Sequence, residues 1–208
     1  FAADLLIQIP EKARIRIVGR MAVTRAANLI LAVEREEDRL RLIEQIDRPQ
    51  ADQIRKLMAY PDGMAGRMMT PSFFAFQTDT KVETAIQTLR FLAQKKIPFS
   101  YVYVTDQENR LKGVLNMREL LLSDDETSLE SVMIPDVFSV PATMDREQVI
   151  QEISHRSFLS VPVVDAGGRL LGTIRTDDLI SSAQKEATED IQKMFGAGGD
   201  EHVFSSIS

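Results

Sequence analysis

Carboxylates are the side chains best placed to do chemistry in this chain, and they crowd its second half. Asp124, Asp125, Glu126 and Glu130 come first, then Asp136, Asp145 and Glu147, then Asp165, Asp177 and Asp178, and last Glu186, Glu189 and Asp190. Carboxylate oxygens are hard ligands and suit Mg²⁺ or Ca²⁺. They also make an ordinary solvated acidic surface. Glu186 and Asp190 are four residues apart and share one face of a helix, with Glu189 beside them. Like charges so placed repel, which is locally destabilising without a cation. No stretch has the spacing of an EF-hand loop, so a dedicated calcium cage is not expected.

The charge count sharpens this. Residues 1–123 hold 15 acids and 19 Lys/Arg, net +4, and residues 124–208 hold 16 acids and 6 Lys/Arg, net −10. Nucleic acid is a poor partner for that second half, because phosphate binding requires cations. The chain has no cysteine, which removes disulfides and thiolate metal sites. Its only histidines, His155 and His202, cannot form a multi-histidine centre. No Ser/His/Asp arrangement or metal-hydrolase motif occurs, so no catalytic role is expected. Asp177 and Asp178 are adjacent and point different ways on a helix, which suits them poorly to acid–base work as a pair. Gly196–Asp200 lacks the Lys-Ser/Thr of a phosphate loop and reads as a hinge. No apolar run is long enough to span a bilayer, and no signal pattern opens the chain.

The elements that position these acids follow from periodicity. Up to about residue 60 the apolar spacing is helical and broken into short pieces: Leu5, Leu6 and Ile9; Ile17, Val18 and Met21; Ala27, Ile30, Leu31 and Val33; Leu40, Ile43 and Ile46; Ile54, Leu57 and Met58. Such stacked short helices suggest a superhelical array. After Pro71 the chain repeats itself. Met69-Thr70-Pro71 aligns with Met133-Ile134-Pro135 at an offset of 64 residues, and Asp106, Arg110 and Gly113 align with Asp165, Arg169 and Gly172 at an offset of 59. Each copy reads as a Met-x-Pro corner, a short strand ("FFAF", "VFSV"), an amphipathic helix, a two-stranded hairpin around an Asp-containing turn, and a closing helix. Between helices and repeat lies "YPDGMAGRMMTP", Tyr60 to Pro71. Gly66 is expected to turn the chain off the last helix. Arg67 is expected either to meet a neighbouring carboxylate or to stand exposed.

The duplicated unit resembles the CBS-domain pair, a regulatory module whose inter-copy clefts often hold adenine nucleotides. The order of helical array, Tyr60-Pro61, Ala65-Gly66-Arg67, Met69-Thr70-Pro71, two repeats and Glu186-Ala-Thr-Glu-Asp190 is similar to the cytosolic region of MgtE-type magnesium transporters. The resemblance implies an α+β multidomain chain: a truncated helical N domain (1–66), CBS domain 1 (67–128), CBS domain 2 (129–190) and the start of a connecting segment (191–208) toward a transmembrane domain.

It further implies a homodimer formed through the CBS domains on the cytoplasmic side of a membrane, with Mg²⁺ between acidic residues favouring a compact, closed state. The ligands it implies are Glu130, Asp145, Asp178, Glu186, Glu189 and Asp190. ATP is the second ligand it implies, on Tyr101, Arg118 and Asp178. Where the family's nucleotide pattern carries Ser or Thr, this chain has Asn116 and Arg175, and the pattern's final Asp is Glu119 in the first copy and Asp178 in the second. Asparagine still hydrogen-bonds, and arginine can meet a phosphate. The rival readings are a nucleotide-sensing CBS module of another protein and an acidic scaffold for a basic partner.

Overall fold

The computed structural model describes residues 2–94, 101–156 and 158–179. It opens with helices α1 (Ala2–Gln8), α2 (Glu11–Arg20), α3 (Val23–Leu31), α4 (Glu36–Glu44) and α5 (Arg48–Met58). Their ends are written locally. Glu36, Glu37 and Asp38 put negative charge in the first turn of α4. Asp47 caps α5 by accepting from the Gln50 N–H, with Pro49 in the first turn.

Ile30 of α3 and Ile54 and Leu57 of α5 are fully buried and form the centre of this helical unit, with Val18, Ala26, Ala27, Leu42 and Ile43 around them. Three expected core positions face outward instead: Leu5, Ile17 and Leu40 are 46%, 46% and 54% exposed. In two-turn helices only a narrow stripe meets the core, so Leu6, Val18 and Leu42 take the buried places next to them.

The repeat forms two sheets. In the first copy β1 (Phe74–Gln77) lies parallel to β2 (Val102–Thr105), and β2 is antiparallel to β3 (Leu111–Leu115). In the second, β5 (Val140–Pro141) lies parallel to β6 (Ser160–Val164), and β6 is antiparallel to β7 (Leu170–Arg175). The strand expected over "VFSV" thus starts only at Val140. Helices α7 (Val82–Gln94) and α10 (Arg146–Ser154) cross from the first to the second strand of each copy, and α8 (Met117–Leu122) follows the first hairpin. Two four-residue helices escaped the periodicity analysis, α6 (Ala65–Met68) and α9 (Leu129–Val132).

The lead-in segments are exchanged. Strand β4 (Ile134–Pro135), which begins the second repeat in sequence, pairs with β3 of the first copy. Thr70, which begins the first repeat, pairs with Thr173 on β7 of the second, through bonds of 2.7 and 2.9 Å. The aligned glycines make room for this. A Cβ on Gly113 would fall 2.9 Å from the Ile134 carbonyl, and one on Gly172 would fall 2.7 Å from the Thr70 carbonyl.

The hairpin turns are related in the same way. Asp106 Oδ1 accepts from the N–H groups of Glu108 and Arg110, and Asp165 Oδ1 from those of Gly167 and Arg169. The turns dock on each other, with Leu111 N–H donating to the Gly168 carbonyl and Leu170 N–H to that of Asn109. These backbone donors, the Arg169 N–H foremost, hold the Asp165 carboxyl below its ordinary range.

Tyr103 on β2 is buried where the two copies meet. Burial raises its phenol to about 12, and the Ser160 hydroxyl of the other copy partly offsets that rise. A folded-state pKa raised above the unfolded value near 10 leaves stability intact below about pH 10 and removes it as pH climbs toward 12. We expect alkaline unfolding over that window to involve about 2–3 kcal/mol, and Tyr103→Phe to flatten it. Denaturant titrations at pH 8, 10 and 11.5 check this; an equally steep loss in the variant removes Tyr103 as the cause.

Candidate functional site

Two regions gather the chemistry. The first is the seam between the helical unit and the second copy. Arg146 N–H donates to the Gly63 carbonyl (2.7 Å), Ala65 N–H to Met144 (2.8 Å) and Gly66 N–H to Ala142 (2.8 Å). Gly63, with φ of 79°, makes the turn that was expected of Gly66. Gly66 is needed for another reason: a Cβ there would sit 2.6 Å from the Tyr60 ring. Arg67 is buried rather than exposed, and its Nη2 donates to the amide oxygen of Asn28 on α3 (2.8 Å), a partner the sequence did not suggest. Burial lowers its pKa and the charge of Asp62 opposes that shift. Thr24 Oγ1 adds a second tie from α3, donating to the Met69 carbonyl (3.0 Å).

Asp145 lies at this seam. Its backbone bridges to Met64, and its Oδ1 accepts from the Glu147 N–H (2.9 Å), capping α10. Its Oδ2 is 4.0 Å from the point where a Cβ on Gly63 would stand. An exposed carboxylate from the second copy thus rests against the chain leaving the helical unit.

The second region is the pair of corners where each hairpin meets its closing helix. Tyr101 precedes β2, and its hydroxyl accepts from the Leu159 N–H of the second copy (3.4 Å). Asn116 caps α8 by accepting from the Arg118 N–H, which leaves the Arg118 side chain exposed. In the second corner Thr176 is held by Oγ1–H to the Phe158 carbonyl (2.6 Å) and N–H to that of Leu159 (3.1 Å). The Phe138 and Phe158 rings stack beside it, with the Arg156 guanidinium 4.4 Å from the Phe138 centroid. Exposed cations next to an apolar aromatic wall suit a planar, anionic ligand.

Asp178 sits in the turn at 176–179, where the Arg175 Nε is 3.9 Å from its Oδ2. Arg175 is engaged chiefly by Asp177, through Nε to Oδ1 (3.0 Å) and Nη2 to Oδ2 (2.5 Å). That contact lowers the Asp177 carboxyl. Asp177 was a candidate by residue type but not one of the six ligands that the resemblance implies.

Glu130 is exposed in the first turn of α9, and its backbone N–H binds the Thr78 carbonyl (3.0 Å). Glu186, Glu189 and Asp190 lie outside the described residues, as do the Gly196–Asp200 stretch and residues 191–208. Among the described residues no three acids or histidines converge on one point. The donors nevertheless fit Mg²⁺, which keeps several waters and is held by one or two carboxylates.

The CBS domain profile matches residues 65–125 and 129–185. The chain is similar to the magnesium transporter MgtE of Thermus thermophilus, with 34% identity over 86% of this chain and 40% of that protein. Among solved structures, the soluble part of a magnesium transporter superposes with a TM-score of 0.79 at 31% identity, covering 89% of this chain and 72% of the other. The cytosolic domain of the Mg²⁺ channel MgtE in complex with ATP gives a TM-score of 0.74 at 29% identity, covering 86% and 78%. The chain spans 34–52% of the length of the curated relatives of this kind. Among the described residues no helix is long and apolar enough to cross a membrane.

Proposed function

The chain belongs to the CBS-domain family and is homologous to the cytosolic region of MgtE magnesium transporters, and from that membership we propose that it senses Mg²⁺ and gates a pore in the intact protein. The role is regulatory and not catalytic, on the cytoplasmic side of the membrane. Residues 1–66 act as the helical domain, 67–128 and 129–190 as the two CBS domains, and 191–208 as the start of the link to the transmembrane part.

The observation that carries the reading is the seam, where the exposed Asp145 of the second copy rests against the chain leaving the helical unit. Two carboxylates about 4 Å apart repel by roughly 1–4 kcal/mol, depending on the effective dielectric. Such pairs hold domains apart, and a hydrated Mg²⁺ between them reverses the sign. Asp145, Asp178, Glu130, Glu186, Glu189 and Asp190 are the carboxylates we assign to this role. Each site is weak, but about 5.5 kcal/mol of summed differential binding moves a two-state equilibrium from 1:99 to 99:1.

Small-angle scattering with millimolar Mg²⁺, against a monovalent salt of equal ionic strength, is the test. A smaller radius of gyration with Mg²⁺ alone supports the reading; no change, or the same change in the control, overturns it.

Asp145 separates structure from sensing. Asparagine caps a helix as well as aspartate does, and alanine forfeits about 1 kcal/mol. Asp145→Asn is therefore expected to keep wild-type stability while requiring more Mg²⁺ to compact. Asp145→Ala is expected to lose about 1 kcal/mol in urea denaturation. An unchanged Mg²⁺ midpoint in Asp145→Asn reduces this residue to a cap.

The proposed homodimer forms through the CBS domains. Leu121 and Leu122 on α8 are 63% and 73% exposed, adjacent apolar side chains that a second protomer would cover. Leu121→Asp with Leu122→Asp should convert dimer to monomer in light scattering without loss of helical signal. A dimer that persists places the contact elsewhere.

ATP is a second reading, favoured by the neighbour solved with ATP and by Tyr101 bridging the two copies. Tyr101, Arg118 and Asp178 would bind it. Titration calorimetry with ATP tests this, and heats unaltered by Tyr101→Ala and Arg118→Ala would remove those residues from the site.

A further inference from the structure

One cation is shut inside the joint between the helical unit and the second copy. Arg67 is 5% exposed and stands on α6, a four-residue helix packed against α5 on one side and against β5 and β7 on the other. This wedge is tied by backbone to the second copy, through the Ala65 and Gly66 N–H groups, and by side chain to α3, through Arg67 Nη2 and Asn28. A guanidinium offers several N–H donors and no acceptor. Among the described residues its hydrogen-bond partner is the neutral Asn28 amide oxygen, and Nη1 is closed off from solvent without an acceptor. Asp62, exposed in the preceding turn, acts on it through charge without a hydrogen bond, and burial outweighs that charge.

A buried charge without a charged partner is costly, and an apolar side chain of similar size in such a place is often neutral or stabilising. The usual penalty for deleting one member of a buried pair falls on the group left behind. Asn28 is exposed, so its amide would return to water. We infer that Arg67 weakens the joint it occupies, holding the closed contact between helical unit and second copy near its opening point. Its regulatory meaning rests on the Mg²⁺-sensing reading, in which the cation closes that joint. A contact locked by apolar packing would stay closed whether or not Mg²⁺ were bound, leaving the ion nothing to shift.

Amide hydrogen exchange in the full chain, without Mg²⁺, reads the joint directly. Ala65 and Gly66 donate to Met144 and Ala142 of the second copy, and Met68 and Met69 to Met64 and Ala65 within the wedge. So short a helix does not persist alone, so opening exposes these amides together. Arg67→Met is expected to slow their exchange about ten-fold. Asn28→Asp, which gives the guanidinium a charged acceptor, is expected to slow it about three-fold. Removing the charge and pairing it are opposite changes with the same expected sign, which better packing alone does not produce. The Thr78 amide, which donates to Thr105 in the first copy with its separate core, is the control and should not change.

Unchanged or faster exchange at 65–69 in either variant, relative to Thr78, overturns the inference. Asn28→Asp alters an exposed position, so it decides the question even where Arg67→Met does not fold. Scattering with Mg²⁺ on the same proteins keeps this distinct from the gating proposal. Slower exchange while no protein compacts upholds Arg67 as the weakening charge and defeats closure by Mg²⁺. Compaction with unaltered exchange does the reverse. Where both hold, Arg67→Met compacts at a lower Mg²⁺ concentration than wild type.

Discussion

Gly172→Val is expected to lower unfolding stability by about 3 kcal/mol, the upper part of the usual range for overfilling a packed site. The new Cβ would stand 2.7 Å from the Thr70 carbonyl and 3.0 Å from Met69 Cγ and Sδ. A flexible side chain could move aside, but the carbonyl cannot without breaking the Thr70–Thr173 pair of backbone bonds. The lead-in segment would be expelled from β7, and the helical unit would lose its Thr70–Thr173 attachment to the second copy. Gly168→Ala is the control. That turn glycine has φ of 78° and nothing within 4 Å of its would-be Cβ, so only the left-handed backbone is penalised, at about 1 kcal/mol. Urea denaturation of both variants decides the matter. If Gly172→Val matches Gly168→Ala, the close approach is not structurally important.

Leu57→Ala should have an effect of similar size, about 3 kcal/mol, within the range for emptying a buried leucine site. Leu57 and Ile54 of α5 and Ile30 of α3 are 0% exposed and share the one core that joins the helical unit to the second copy. Backbone on both sides is held by helix bonds, so the space closes only partly and the neighbours lose contacts outright. Leu5→Ala, at a position 46% exposed, should change stability by less than about 1 kcal/mol. The circular-dichroism denaturation midpoint is the measurement, and near-equal losses in the two variants would mean that this core does not carry the helical unit.

The duplication was legible because its marks are stereochemical: Met-x-Pro, the turn aspartate and the hairpin glycine recur where backbone geometry leaves little choice. The α8 helix and the β3 and β7 strands lie within a residue of where periodicity put them. The exchange of lead-in strands was not legible. Sequence adjacency says which strand is next along the chain, while partner choice depends on the second sheet standing alongside. The same gap explains Gly66, whose neighbour Tyr60 is known only in three dimensions, and Arg67, whose partner Asn28 lies 39 residues away.

At the candidate site, Asp145 and Asp178 could be named from residue type, and Asp145 also as the cap of its helix, because a cap is written in residue type just ahead of a periodic run. The ion pair at Asp178 could not, since it depends on angles that a spacing pattern does not contain. Arg175 looked like a departure from a nucleotide motif, when its own neighbours Asp177 and Asp178 were its partners.

The crossed lead-in strands also set a route for mechanical load. The chain leaves the helical unit, is stitched along 142–146, and pairs with β7 before the first copy begins. Leu179, at the far end of the described chain, shares one apolar core with Ala3 and Ile30, whereas Val82, Val102 and Leu120 form a separate one. A twist applied to the helical unit can thus reach residue 179 through the second copy alone. The first copy hangs beside that line as a stabilising outrigger, shunted out of the circuit between the two ends.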